Sequence, residues 1–132
     1  MFVILYTSLF IYMVFFSICV APVINKTLDR KNSSKLLRKI FPQNFIFGAL
    51  LSLITIFVSV YYKAYFSLII SIIVFSLFII NLYVLVPKIN TEADKTFKLK
   101  NYSRKFKIYH FISVFIYLIQ ILISLTGIII HN

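Results

Sequence analysis

A chain of 132 residues that is 61% hydrophobic, 18% aromatic and only 13% charged, with a mean hydropathy of +0.99, cannot cover its own apolar surface in water. Soluble domains are about half apolar and about a quarter charged. This balance excludes a soluble enzyme, a disordered tail and, with Cys19 as the single cysteine, a secreted disulfide scaffold.

Residues 1–25 contain no Asp, Glu, Lys or Arg, and the expected first helix covers residues 2–24. No basic residue precedes Lys26, and Pro22 follows the small-residue stretch Cys19–Ala21. A signal-peptide cleavage site is therefore not expected, and the span should be retained. The loop at 25–41 carries Lys26, Arg30, Lys31, Lys35, Arg38 and Lys39 against Asp29 alone. Within it, Asn32-Ser33-Ser34 offers helix caps ahead of Leu36, Leu37, Ile40 and Phe41, which predicts a short amphipathic helix lying in the interface. A second uncharged helix is expected at 42–62, opened by Pro42. A turn with the isolated Lys63 leads to a third at 64–87. The loop at 88–107 holds Lys88, Lys95, Lys98, Lys100, Arg104, Lys105 and Lys107 with Glu92 and Asp94, interleaved with Phe97, Leu99, Tyr102 and Phe106. The fourth helix is expected at 108–130. At about 1.5 Å per residue, runs of about twenty residues cross the ~30 Å hydrocarbon core, and lipid-exposed backbone must bond internally.

The expected fold is thus all-α: an integral membrane four-helix up-down bundle, one domain over 1–132. Nearly all of the +11 net charge falls in the two basic loops, which topology puts on one side. Lys- and Arg-rich loops stay cytoplasmic, so both termini are expected outside. Charges that track topology this closely serve insertion and attraction to anionic lipid headgroups rather than nucleic-acid binding. Abundant Ile, Lys, Phe and Asn without Trp suggests AT-rich coding and a bacterial inner (plasma) membrane.

The two halves resemble each other. Pro22 to Asp29 and Pro87 to Asp94 both read P-x-I-N-x-x-x-D, offset by 65 residues, which pairs Asn25 with Asn90. The same offset pairs Lys35 with Lys100 and Phe41 with Phe106. Two parallel helical-hairpin repeats about an axis along the membrane normal are expected. In the second span Asn44, Gly48, Ser52, Thr55, Ser59 and Tyr62 share an arc of roughly 80° at ~100° per residue. In the fourth, His110, Ser113, Tyr117, Gln120, Ser124 and Gly127 form the matching stripe. Small and hydrogen-bonding residues on one face let membrane helices approach each other, so both stripes should line the interior. Ser67, Ser71 and Asn81 share a face of the third span, from which Ser76 is excluded. On the first, Ser8, Tyr12 and Cys19 lie roughly together, Cys19 as a small buried packing residue.

Polar groups at depth are the candidates for function. Asn44, Asn81 and His110 fall in one layer near the basic surface, with Asn25 and Asn90 at its edge and Ser113 and Gln120 below. These residues are expected to hold a small ligand, a headgroup or a metal. The plainer account is helix capping and interhelical bonding at the ends of proline-terminated spans. His110 is the single metal candidate in the bundle, since His131 is placed at the mobile C-terminus. One subunit supplies one axial histidine at that depth, so bis-histidine haem would need a partner copy. No cofactor is evident, and no nucleophile–base–acid set or phosphate loop suggests an enzyme.

Ala21-Pro22 and Asp29-Arg30 closing the first span, Phe41-Pro42 opening the second, Pro87-Lys88-Ile89-Asn90 closing the third and His110-x-x-Ser113 opening the fourth resemble the transmembrane-protein-205-like family. That resemblance implies a small four-span membrane domain of unknown function.

Two functions follow for testing. One is a non-enzymatic accessory protein that binds a small ligand, lipid or partner through Asn44, Asn81, His110, Ser113 and Gln120. The other is a subunit of a homo-oligomeric transporter or channel. A transport path would expose the equivalent pair Thr55 and Gln120 to a cavity, whereas an accessory protein would bond them helix to helix.

Overall fold

A computed structural model of the chain describes residues 1–96 and 102–132. Phe97, Lys98, Leu99 and Lys100 therefore lie outside the described residues. Four helices are each long and apolar enough to cross a membrane: α1, Phe2–Thr27; α2, Arg30–Tyr61; α3, Tyr65–Lys95; and α4, Arg104–His131. No strand occurs among the described residues. The β-branched residues are held in helix by the length of the apolar runs.

The helices stand at the corners of a square. α2 packs along α3 and α1 along α4, with α1 beside α2 and α3 beside α4 on the remaining edges. Side chains span both diagonals. Between α1 and α3, Tyr6 Oη donates to the Ser67 carbonyl at 3.2 Å and lies 3.2 Å from Ser71 Oγ. Between α2 and α4, Asn44 Nδ2 donates to Tyr117 Oη at 3.0 Å.

Burial follows the expected stripes on three helices. α2 buries Asn44, Gly48, Ser52, Thr55 and Ser59, and α4 buries Ser113, Tyr117, Gln120, Ser124 and Gly127. α3 buries Ser67, Ser71 and Asn81 and leaves Ser76 outside. Tyr62 leaves its stripe at 54% exposure, because the helix has ended and the turn carries the ring outward. The expected face of α1 is corrected at Ser8 and Cys19, while Tyr12 does turn inward, half-buried beside Gly48 with its hydroxyl buried. Tyr6, Leu9, Met13 and Phe16 are buried, while Ser8 and Cys19 are exposed. Ser8 donates its hydroxyl to the Ile4 carbonyl at 2.8 Å, so it needs no neighbouring helix. The buried quartet of α1, shifted by 65, falls on Ser71, Val74, Phe78 and Asn81, all buried on α3.

The basic segments are also corrected. α2 begins at Arg30 rather than near residue 42, so the predicted interfacial helix is a continuous extension of the second span. The extension lies against α3: Arg38 Nη2 donates to the Asn90 carbonyl at 3.2 Å and to Asp94 Oδ1 at 2.5 Å, and Arg30 donates to the Thr96 carbonyl at 3.2 Å. α4 likewise starts early, at Arg104, where Ser103 Oγ accepts from the Phe106 N–H at 3.1 Å.

Nor do the prolines end their spans. Pro22 and Pro87 each follow a π-helical turn, Phe16–Val20 and Asn81–Leu85. Ala21 N–H reaches the Phe16 carbonyl, and Val86 N–H the Asn81 carbonyl, again 65 apart. The widened turn relieves the clash a proline ring makes with the carbonyl four residues back, and the helix continues. Pro42 is carried inside α2.

Candidate functional site

At the basic end the four helices part around a cavity of about 510 Å³. Its walls are the rings of Phe16, Phe41, Phe45 and Phe106 with Leu37, Val86 and Ile89; among the described residues its lining includes Arg38 and no carboxylate. Asn44, Ser113 and Tyr117 form the polar floor. The amide of Asn44 and the hydroxyl of Tyr117 bond in both senses, Nδ2 to Oη at 3.0 Å and Oη to Oδ1 at 3.3 Å. Ser113 Oγ donates to Asn81 Oδ1 at 2.7 Å, which ties α4 to the π-turn of α3. His110 is exposed yet lines the cavity, so the cavity opens at its position. Its ring stacks on Phe106 at 5.9 Å between centroids and 4° between planes.

The predicted layer is therefore partly assembled. His110, Asn44 and Ser113 line the cavity, as do Pro22, Asn25 and Asn90. Asn81 lies beneath Ser113, fully buried, and its Nδ2 has no hydrogen-bond partner among the described residues. Gln120 lies apart from this lining: it is fully buried, and its Nε2 donates to the Val74 carbonyl at 3.0 Å. Thr55, its equivalent, is fully buried and bonds the Leu51 carbonyl of its own helix at 2.9 Å.

The two motif aspartates do different things. Asp94 reaches across to Arg38, while Asp29 stands at the start of α2 and accepts from Asn32 Nδ2 at 2.6 Å. Pro87 faces outward, away from this cavity.

The structure adds floor and wall residues beyond those expected from the sequence, Tyr117 and Arg38 among them. Tyr117 stood on the α4 stripe and was legible as interior, though not as a ligand-facing hydroxyl. Arg38 carried no signal that set it apart from the other basic residues.

His131 corrects a further expectation. Instead of a free terminus it closes α4, with Nε2 2.5 Å from Ser67 Oγ and the ring stacked on Phe2 at 4.8 Å. It thus lies at the opposite end of the helix from His110. Among the described residues no three His, Cys, Asp or Glu side chains come together as a metal site.

Four apolar spanning helices, polar seams turned inward and a cavity at one end define a multi-pass membrane protein with an all-α four-helix bundle. A family model for a domain of unknown function (DUF4149) matches residues 4–98. The chain belongs to that family. No curated protein and no solved structure matches the chain.

Proposed function

We propose that the protein is a non-enzymatic binding protein of the membrane, whose cavity at the basic end holds one small amphipathic molecule. The observation that carries this reading is the combination of phenyl walls with a floor of one amide and two hydroxyls, in a volume typical of small-ligand sites. Beneath that floor Thr55 and Gln120 are sealed in helix contacts, which favours binding over a transport path through one copy.

In this reading the basic end is cytoplasmic, both termini are outside and the membrane is the bacterial inner membrane, with anionic headgroups around the Lys and Arg residues. The two hairpins are a duplication, supported by the 65-residue offset in motif, buried faces and π-turns and by the Tyr6–Ser71 contact across the axis. Kinship with the transmembrane-protein-205-like family is supported by the motifs Ala21-Pro22, Asp29-Arg30, Phe41-Pro42, Pro87-Lys88-Ile89-Asn90 and His110-x-x-Ser113.

The test is purification in mild detergent, with the absorbance spectrum, bound metals and a mass-spectrometric inventory of the organic extract. A compound bound to the wild type and lost from His110→Ala, with membrane insertion unchanged, is expected. A wild-type preparation that carries no compound and takes none up would sink the reading.

A further inference from the structure

The cavity has two crevices that are equivalent at the 65-residue offset, one between α2 and α3 and one between α4 and α1. The first is clasped by Arg38, which bonds both Asp94 and the Asn90 carbonyl. In the second, Asp29 stands where Asp94 does and Asn25 where Asn90 does, but the position of Arg38 is taken by Ser103. Ser103 is spent on capping α4. Among the described residues the clasp therefore has no counterpart there, and from Phe16 onward the backbones of α1 and α4 draw apart, bridged by the edge-on contact of the Phe16 and Tyr117 rings. Burial agrees: the cavity residues that are also exposed, Asn25, His110 and Val114, all stand on α1 and α4.

The surroundings of this opening say where it leads. On the two helices that border it, Ile18 and Val23 of α1 and Phe111 and Phe115 of α4 are each more than half exposed, as acyl-facing residues must be in a membrane. Lys26 and Lys107 stand on the same two helices on the side of the basic end. An amphiphile arriving within the bilayer would meet apolar flanks first and positive charge at headgroup depth. At about 30 Å³ per methylene, close to the volume of a water molecule, about 510 Å³ seats one chain of about sixteen carbons and not two.

We propose that the cavity is loaded sideways from the bilayer, through the unclasped α1–α4 crevice, by a single-chain amphiphile with an anionic headgroup. This rests on the reading of the cavity as a ligand site. The chain lies along the phenyl walls, and the head stays at the rim near Asn25, His110 and Lys26.

Full-length protein in phospholipid vesicles is tested with a palmitic-acid analogue carrying a diazirine on its chain, and with the matching alcohol. Photolabelling of Phe16, Val114 and neighbouring lining residues is expected, at least tenfold stronger for the carboxylate. Ser103→Arg restores the missing arginine opposite Asp29 and should cut labelling about tenfold. Ser103→Ala, which removes only the cap, should label like the wild type, as should Ser103→Arg combined with Asp29→Ala. Ala21→Trp fills the cavity from its α1 wall and should also cut labelling, which ties the labelled site to the cavity. Equal labelling by the alcohol overturns the anionic head. Undiminished labelling in Ser103→Arg overturns the lateral route, and undiminished labelling in Ala21→Trp overturns the cavity as the labelled site. If neither probe labels the cavity in the wild type, the ligand-site reading falls with it.

Discussion

Gly127 on α4 lies against the ring of Tyr6 on α1, and a Cβ there would sit 2.6–2.8 Å from three ring carbons. Tyr6 cannot retreat, since its hydroxyl is held by Ser67 and Ser71. Gly127→Ala is therefore expected to destabilise the bundle by about 1–3 kcal/mol through overpacking, read as an earlier thermal transition in detergent. Gly48 is under the same constraint from Tyr12 and Phe78. Gln120 is the contrasting case. Its amide gives one bond to the Val74 carbonyl, and its Oε1 has no partner among the described residues, so Gln120→Leu should change stability by about 1 kcal/mol or less. Unfolding curves that nearly superimpose, with function retained, are expected; loss of function without loss of stability would show that the amide serves a passing solute. On α2, α3 and α4 the inward-facing small residues were legible in the sequence from their shared stripes; on α1 they were not, because a lone serine such as Ser8 can satisfy its hydroxyl on its own helix and face lipid. That Asn81 would turn under Ser113, and Gln120 toward a backbone carbonyl, was not legible either, because helix spacing gives a face and leaves the partner open.

Among the elements, the turn after α2 is closed by a residue poorly suited to it. Lys63 takes φ 53°, while the Lys63 and Ala64 N–H groups bond the Val60 and Ser59 carbonyls at 3.1 and 2.9 Å. That geometry favours glycine, and a side chain there costs about 1 kcal/mol. Lys63→Gly is expected to raise stability by about that amount in chemical denaturation, whereas a loss would mean that the lysine side chain contributes a contact outweighing its strain. The four spans themselves were legible because uncharged runs of that length have few alternatives in lipid. Their ends at the basic side were not. Proline ordinarily marks a boundary, and nothing in the sequence before Pro22 and Pro87 announces the π-turns that let α1 and α3 continue past them. The extension of α2 back to Arg30 depends on bonds to Asp94, Asn90 and Thr96 on another helix, which are tertiary facts.

For the molecule as a whole, charge and architecture make one joint claim. Helices joined alternately at opposite ends place the Arg30 end of α2, the Lys95 end of α3 and the Arg104 start of α4 together, with Lys63 at the far end. Each basic residue kept from crossing contributes to orientation, and here the bias is almost wholly one-sided. The cavity opens at that same basic end, so orientation also decides which leaflet supplies its ligand. Single cysteines read this out in a Cys19→Ser background, which is required because Cys19 is exposed. In intact cells, a membrane-impermeant maleimide is expected to label Lys63→Cys and to leave Lys35→Cys and Lys105→Cys untouched until the membrane is opened. The reverse pattern would invert the protein and place the crevice in the outer leaflet. A split between Lys35→Cys and Lys105→Cys would be graver, since no bundle with these four helices can put those positions on opposite sides.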